Sequence, residues 1–219
     1  MMKRLSALSA FALPLLLAAQ LWAVTLATDN ANRADENPIV GWTTISGLGN
    51  LQIVGNEIRA VSTGTRNGAY HTATSPANDQ WASAVIASYV DTASSGCVVV
   101  RVDTGAETYY AFCISYYAGF RYWELSRRSS GTFFSLDSAN YAFVATDTIR
   151  IEAEGTTIRG FINGAQVTSQ TDANIASGRF GIVMGIDAAV TDVELDDWSG
   201  GDFTSAASAA SGFAPIVFE

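Results

Sequence analysis

Two pairs of carboxylates in this sequence have the alternate spacing that places both side chains on one face of a strand. Glu152 and Glu154 form one pair, and Glu194 and Asp196 form the other. Retaining glycoside hydrolysis uses two carboxyl groups about 5–5.5 Å apart, one as nucleophile and one as acid. The single histidine, His71, has no recognisable Ser or Cys nucleophile motif. Carboxylate chemistry is therefore the only catalytic class that these residue types offer.

The two cysteines have the spacing of a cross-strand disulfide. Asp103–Glu107 predicts a hairpin loop centred on Gly105, and a register symmetric about that glycine places Cys97 opposite Cys113. Opposed residues of antiparallel strands have Cα atoms roughly 4.5–5.5 Å apart, which a disulfide can bridge. An exported protein would keep this bond, and two buried thiols are the alternative. With one histidine and no further cysteine, a metal site is not predicted.

The same register separates the hairpin into two faces. The predicted core face carries Val98, Val100, Val102, Tyr110, Phe112 and Ile114. The open face sets Arg101 opposite Tyr109, and Trp123 either extends this platform or lies in the core. An aromatic ring can stack on the apolar face of a sugar while a guanidinium binds its hydroxyls, so these three residues are the candidate carbohydrate site. A solubilising cation–π pair is the alternative reading.

Loop aspartates offer a weaker possibility, a calcium site. Asp91, Asp103, Asp187 and Asp192 lie in or near predicted loops, and Ca²⁺ prefers such oxygen ligands. Their spacing matches no dedicated calcium motif. We therefore predict no cofactor and no metal, with Ca²⁺ possible but unsupported by a motif.

Apart from the loop aspartates, the candidate residues described above lie on predicted β-strands. The strand pattern is clearest in the antiparallel meander at 147–181. Thr148–Glu154 alternates apolar and polar residues, which is typical of a half-buried strand. Gly155-Thr156 and Asn163-Gly164 are turn dipeptides that return the chain twice. The resulting register pairs Ile149 with Ile162, Ala153 with Ile158, and Glu152 with Arg159. Glu152 is thereby assigned a structural ion pair.

Other segments repeat this pattern at regular intervals. Further predicted strands are Leu51–Val54, Ile58–Val61, Ala69–Thr72, Trp81–Val90, Cys97–Val102, Thr108–Ser115, Arg121–Arg127, Ala165–Gln170, Arg179–Gly185 and Ala189–Trp198. About a dozen short strands with turn signals between them predict an all-β, two-sheet antiparallel sandwich.

Several motifs resemble the concanavalin A-like (laminin-G-like) jelly-roll domains of bacterial and phage surface proteins. They are the Asn-Arg-Ala-Asp-Glu-Asn-Pro start at 32–38, the strand 147–154, the segment 175–179 and the closing segment 196–202. The resemblance implies a jelly roll over about 29–202, in a superfamily of lectins, glucanases and non-catalytic modules. Its laminarinases carry Glu-x-Asp-x-x-Glu, and neither acidic run here has that third acid. The resemblance therefore implies a non-enzymatic protein.

Composition limits the partners. Of the 219 residues, 48% are hydrophobic and 15% are charged, so a large core is possible and disorder is not expected. The net charge is −9, and it becomes about −11 without Lys3 and Arg4. The remaining chain has no lysine and one basic pair, Arg127-Arg128. Nucleic acid, which needs a basic cluster, is not expected as a partner.

The two ends differ from the body. Residues 1–27 have a basic start and an apolar stretch, and Thr25-Leu26-Ala27 offers small residues before a cut, which predicts a signal peptide or an N-terminal hydrophobic anchor helix. The domain proper is then 28–202. Residues 203–219 combine an Ala/Ser-rich linker with an apolar strand that either docks back or is donated to another subunit.

Three functions follow from these features. The first is an exported or cell-surface, non-catalytic protein that binds a glycan or mediates adhesion. The second is a structural subunit of a filament, surface layer or virion appendage that self-assembles through its apolar ends. The third, disfavoured, is a glucanase-like hydrolase.

Overall fold

Fifteen β-strands make up the part of the chain that the computed structural model describes, residues 21–72 and 75–205. Their bounds are β1 Leu21–Asp29, β2 Trp42–Thr44, β3 Leu51–Val54, β4 Glu57–Ala60, β5 Thr65–His71, β6 Gln80–Tyr89, β7 Ser95–Val102, β8 Tyr109–Tyr117, β9 Phe120–Ser129, β10 Thr132–Asn140, β11 Thr148–Glu154, β12 Thr157–Ile162, β13 Ala165–Thr171, β14 Arg179–Ile186 and β15 Val193–Ser205. Within these residues no helix is long and apolar enough to span a bilayer.

The strands form two antiparallel sheets. The eight-stranded sheet has the order β13-β12-β11-β6-β15-β4-β3, with β1 also paired to β15. The seven-stranded sheet has the order β10-β9-β8-β7-β14-β5-β2. The chain crosses between the sheets at several connections, for example from β6 to β7 and from β10 to β11, as in a jelly-roll sandwich. The predicted fold class is confirmed.

The main core lies between the sheets and follows from the alternation of the strands. In β11, Ile149, Ile151 and Ala153 are fully buried, and the intervening residues are partly exposed. From the other sheet, Phe112 and Phe180 contribute to the same core. Burial of these side chains contributes roughly 1.5–3 kcal/mol for each large one.

The predicted meander has the predicted register. Glu152 pairs with Arg159 across β11 and β12, and their side chains form an ion pair at 3.0 Å. Asn163 and Gly164 both have positive φ, 50° and 78°, as the turn between β12 and β13 requires. Local turn chemistry and the apolar face therefore agree on one pairing.

Both ends of the domain extend beyond the predicted bounds. β1 includes Leu21–Ala27, which the sequence assigns to the signal or anchor segment, and β15 continues to Ser205. Gly201 is required here, because a Cβ at this position would lie 1.8 Å from the carbonyl oxygen of Val24. The rest of the predicted N-terminal segment, 1–20, and of the C-terminal segment, 206–219, lies outside the described residues.

A candidate binding cleft on the seven-stranded sheet

Arg101 does not lie opposite Tyr109, which corrects the predicted sugar platform. The β7–β8 ladder ends at Val100 and Tyr110. Arg101 has a φ of +53°, and the register of β7 against β14 shifts at this point. This bulge inverts the alternation, so Val102 joins the outer face instead of the core.

The Arg101 side chain is buried at one end of the sandwich, with 2% exposed. Its guanidinium donates to the carbonyl oxygens of Asn78 at 2.9 Å, Ile175 at 2.9 Å and Gly155 at 2.8 Å. Burial lowers the pKa of this guanidinium. Arg101 therefore joins three loops, and its guanidinium is engaged by their backbone carbonyl groups.

Tyr109 and Trp123 lie on opposite faces of the sheet. Trp123 packs in the main core, with its ring 5.9 Å from that of Phe112. Tyr109 is on the outer face, as predicted, but only 2% of it is exposed. The structure thus does not bring Arg101, Tyr109 and Trp123 together.

A cleft of about 430 Å³ lies on the outer face of the seven-stranded sheet. Most of its lining residues on β8 and β9 alternate with the residues of those strands that face the core. They include Tyr109, Ala111, Cys113, Ser115, Tyr122, Glu124, Ser126 and Arg128. Small side chains at the centre, such as Ala111 and Ser126, leave room above the strands, while larger side chains form the walls.

The floor of the cleft contains a disulfide. Cys97 and Cys113 are paired across β7 and β8 as the register predicts, with Cα atoms 4.0 Å apart and sulfur atoms 2.13 Å apart. Both cysteines line the cleft. The bond links two neighbouring strands of the binding face covalently.

Glu107 forms a bridge that bounds one side of the cleft. Its carboxylate accepts two hydrogen bonds from Arg66, at 2.7 and 2.8 Å, and lies 3.3 Å from Nε of Arg128. Arg66 is on β5 and Arg128 is on β9, and β14, β7 and β8 lie between these strands. The network must therefore pass above the outer face of the three intervening strands. Tyr109 lies in contact with this bridge and donates its hydroxyl to Glu107 at 3.1 Å.

Glu124 is a second acidic group of the cleft, and its environment differs from that of Glu107. It pairs across the sheet with Cys113 and is partly buried. Burial raises the pKa of its carboxyl, although a hydrogen bond from Ser135 and the charge of Arg128 act in the opposite direction. Glu124 can therefore accept a hydrogen bond from a bound hydroxyl, or donate one when it is protonated.

Tyrosine side chains form the opposite part of the cleft. Tyr116, Tyr117 and Tyr122 line it there, and Tyr117 is 70% exposed, whereas Phe133 lies beside Arg128 at the bridge. Burial raises the pKa of Tyr122, so its phenol stays neutral and able to donate. The cleft thus combines planar apolar surfaces with hydroxyl, carboxylate and guanidinium groups.

The acidic pairs singled out in the sequence lie on the eight-stranded sheet, away from this cleft. Glu152 is held by Arg159, and Glu154 also contacts that guanidinium. Glu194 is buried and lies 2.8 Å from Arg59. Three of the four carboxylates are therefore engaged in structural ion pairs, and Asp196 accepts the backbone amide of Asp197.

The four loop aspartates do not converge. Asp91 pairs with Arg121 at 2.6 Å, Asp103 accepts the amide of Gly105, and Asp192 accepts the amide of Ala189. Asp187 lines the cleft. Among the described residues there is no group of three or more His, Cys, Asp or Glu side chains that could hold a metal ion.

Most of the cleft residues are not among the candidates that the sequence offers. Glu124 could have been found by extending the Cys97–Cys113 register one strand further, onto β9. The Arg66–Glu107 pair has no local signal, because the two residues are 41 positions apart and meet only when the sheet is complete.

Solved structures of similar fold place this sandwich among known proteins. The carbohydrate-binding module CBM66 from Bacillus subtilis has a TM-score of 0.56 at 17% identity, over 75% of this chain and 94% of that one. A Bacillus subtilis protein of unknown function with a galectin-like fold has a TM-score of 0.60 at 12% identity, over 85% and 100%. The Bacillus licheniformis beta-glucanase has a TM-score of 0.54 at 11% identity, over 82% and 98%.

These likenesses confirm the concanavalin A-like jelly-roll fold that the sequence resemblance implies. No family model matches the sequence, and no curated protein is significantly similar to it. Fold similarity at this level of identity does not identify a ligand.

Proposed function

We propose that this protein is a non-catalytic carbohydrate-binding protein that holds a glycan in the cleft of the seven-stranded sheet. The observation that carries the proposal is the composition of the cleft wall. Tyr116, Tyr117 and Tyr122 offer rings for stacking, while Glu124 and Arg128 offer hydrogen-bonding groups. Pockets that bind small ligands combine aromatic surface with a few polar groups in this way.

The fold likenesses support the same ligand class. They include a carbohydrate-binding module, a galectin-like fold, a carbohydrate recognition domain and a beta-glucanase. These names describe those proteins, at 11–17% identity to this chain. They make a glycan the first ligand to test.

The carboxylates of the cleft support a binding function rather than hydrolysis. Glu107 is committed to Arg66 and Arg128, whose guanidinium groups contact its carboxylate oxygens. Glu124 lies opposite Cys113 on β8 and Ser138 on β10, so neither directly opposed residue is a carboxylate. Retaining hydrolysis needs an acid and a nucleophile together.

We also propose that the protein is exported and acts at the cell surface. The Cys97–Cys113 disulfide supports this location, because such bonds persist in oxidising compartments. The basic, apolar N-terminal segment of the sequence supports it as well.

The proposal is tested by binding to immobilised polysaccharides, with laminarin, mixed-linkage β-glucan and xyloglucan in the first panel. We expect Tyr122→Ala and Glu124→Gln to weaken retention about tenfold or more, since each removes a group from the cleft wall. Gln166→Ala, an exposed position on β13 of the other sheet, is the matched control. We expect no release of reducing sugar from the polysaccharide that binds.

Retention that is unchanged in both cleft variants would place the ligand elsewhere. Failure of the wild-type protein to bind any member of an extended glycan array would contradict the proposed function itself.

A further inference from the structure

Large aromatic side chains are exposed at the β8–β9 hairpin, beyond the end of the cleft. Tyr117 is 70% exposed and Phe120 is 59% exposed, and they face each other across the two-residue turn Ala118-Gly119. That turn has φ values of 51° and 92°, the left-handed geometry of a tight hairpin. Exposed apolar side chains grouped in this way usually mark a site of interaction.

A separate cavity of about 370 Å³ lies beside this hairpin, and we call it the tip cavity. Phe120, Tyr141 and Tyr116 contribute aromatic surface to it. Tyr116 lines both the tip cavity and the cleft, so the two spaces are neighbours at the β8–β9 hairpin.

Arg121 holds the walls of the tip cavity in place. Its guanidinium donates to Asp91 at 2.6 Å and to the carbonyl oxygen of Phe143 at 2.6 Å. It also lies 5.7 Å from the ring centroid of Tyr89 and 5.3 Å from that of Phe143. Three segments that are distant in sequence are thereby joined around one cation, so the cavity is preorganised for a ligand.

The polar groups of the tip cavity suit a hydroxylated ligand. Asp91 has a side chain 48% exposed and Arg121 one 29% exposed, so neither is sealed from solvent by their ion pair. Asn140 lines the cavity and is exposed, which adds an amide that can both donate and accept. Aromatic rings beside such groups offer a stacking surface and hydroxyl partners to a sugar unit.

The side of the cleft away from the β8–β9 hairpin is bounded by an ion-pair network. The Arg66–Glu107–Arg128 bridge crosses above the sheet on that side, and Tyr109 beneath it is 2% exposed. The bridge bounds the cleft on that side, and the aromatic end is open to a glycan longer than the cleft. Resting on the proposed function, we propose that the tip cavity is a second sugar-binding subsite, which takes further units of the same glycan chain.

The test measures affinity against chain length by titration calorimetry. The probes are β-1,3-linked and β-1,4-linked gluco-oligosaccharides of two to eight units, together with the fragments of any other polysaccharide that retains the protein. We expect the affinity of the wild-type protein to rise with length beyond the units that fill the cleft. We expect Phe120→Ala to lower the affinity for the longest fragments about tenfold and to leave that for the shortest fragments unchanged.

Two variants control for general effects of losing a ring. Phe120→Trp keeps an aromatic surface and should retain the length dependence. Phe134→Ala removes an aromatic ring that is 40% exposed, stacks on Arg127 and lines neither cavity, so it should leave all affinities unchanged.

Equal losses for short and long fragments in Phe120→Ala, or no loss for either, would overturn the subsite while leaving the proposed function intact. Light scattering measures whether the protein is a monomer or a dimer. A wild-type dimer that Phe120→Ala converts to a monomer would show that the tip cavity binds a second copy of this chain, and would overturn the subsite as well. If no fragment and no polysaccharide binds the wild-type protein, both proposals are overturned.

Discussion

Arg101 is a buried cation that is compensated mainly by backbone dipoles. Three carbonyl oxygens accept its guanidinium protons, and the nearest carboxylate, that of Asp79, is 3.6 Å away. The backbone amide of Arg101 also donates to Gln80 at 3.0 Å. This arrangement makes Arg101 a structural residue, in contrast to the ligand-binding role that its sequence position suggests.

Replacement of Arg101 by Met should therefore destabilise the protein. Loss of the guanidinium leaves three inward-facing carbonyl groups without their donors, and an unsatisfied buried acceptor costs about 1–3 kcal/mol. We expect a loss of about 3 kcal/mol or more in the free energy of unfolding, measured by urea denaturation.

Arg150→Met is the matched control, because Arg150 lies on the outer face of β11 with its side chain 24% exposed. Its removal should cost about 1 kcal/mol or less. If Arg101→Met proved as stable as this control, the three carbonyl groups would be adequately solvated without the guanidinium.

The error at Arg101 shows which residue-level features a sequence conceals. Strict alternation along β7 assigns Val98 and Val100 correctly to the core. One bulge at Arg101 then inverts the two faces, and no turn residue marks it, because the positive φ falls on an arginine. Alternation is therefore reliable only up to the first irregularity of the strand.

At the scale of elements, hairpins with recognisable turns were predictable and long-range pairings were not. The meander β11–β13 has Gly155 and Asn163-Gly164 at its turns, and the register of β11 against β12 is as predicted. β10 was missed, although Ser130 and Gly131 both have positive φ and precede it. The adjacency of β15 to β4 and β6 arises from the order of strands in the sheet, for which the sequence has no local signal.

The β4–β15 contact contains a carboxyl pair that should make stability depend on pH. A hydrogen bond with Glu194, followed by burial and the charge of Glu194, raises the pKa of Glu57 to about 7, and Arg59 opposes this effect. Asp196 adds further negative charge. Since the pKa of Glu57 is raised in the folded state, its stabilising contribution is full below pH 4.5 and is lost as the pH rises through about 7.

Glu57→Gln removes the titrating carboxyl at this position and leaves the other acids unchanged. A comparison with the wild type therefore isolates the contribution of Glu57. We expect wild-type stability to fall relative to the variant between pH 5 and pH 8 by about 1 kcal/mol, a value discounted for solvent screening of this partly exposed group. Chemical denaturation of both proteins across this range measures the difference. A constant difference over the whole range would mean that Glu57 and Glu194 do not share a proton.

At the scale of the whole molecule, β1 connects the predicted N-terminal segment to the domain. Its residues pair with β15 from Trp198 to Ser205, and Ala27 is buried in the main core. Cleavage at the candidate position after Ala27 would remove Leu21–Ala27 from this strand and leave Thr28 and Asp29. Leu21–Ala27 therefore belongs to a paired strand in the structure, whereas the sequence predicts that cleavage after Ala27 would remove it.

Two forms of the chain, with and without this part of β1, should therefore differ in stability. A protein beginning at Leu21 retains β1, whereas one beginning at Thr28 leaves the outer edge of β15 without a partner from Gly200 to Ser205. We expect the shorter form to be less stable by about 2 kcal/mol, since backbone hydrogen bonds each contribute about 0.5–1.5 kcal/mol net and ordering entropy offsets part of their sum. For a domain of this size the melting temperature should then fall by about 4–8 °C.

Calorimetry of the two purified forms measures this shift, and mass spectrometry of the protein purified from its native source identifies its N-terminus. A mature chain that begins before β1 would agree with the paired strand. Equal melting temperatures would mean that β1 adds no net stability, and cleavage after Ala27 would then leave the sandwich intact. The full-length chain serves as the control, because it contains all of β1.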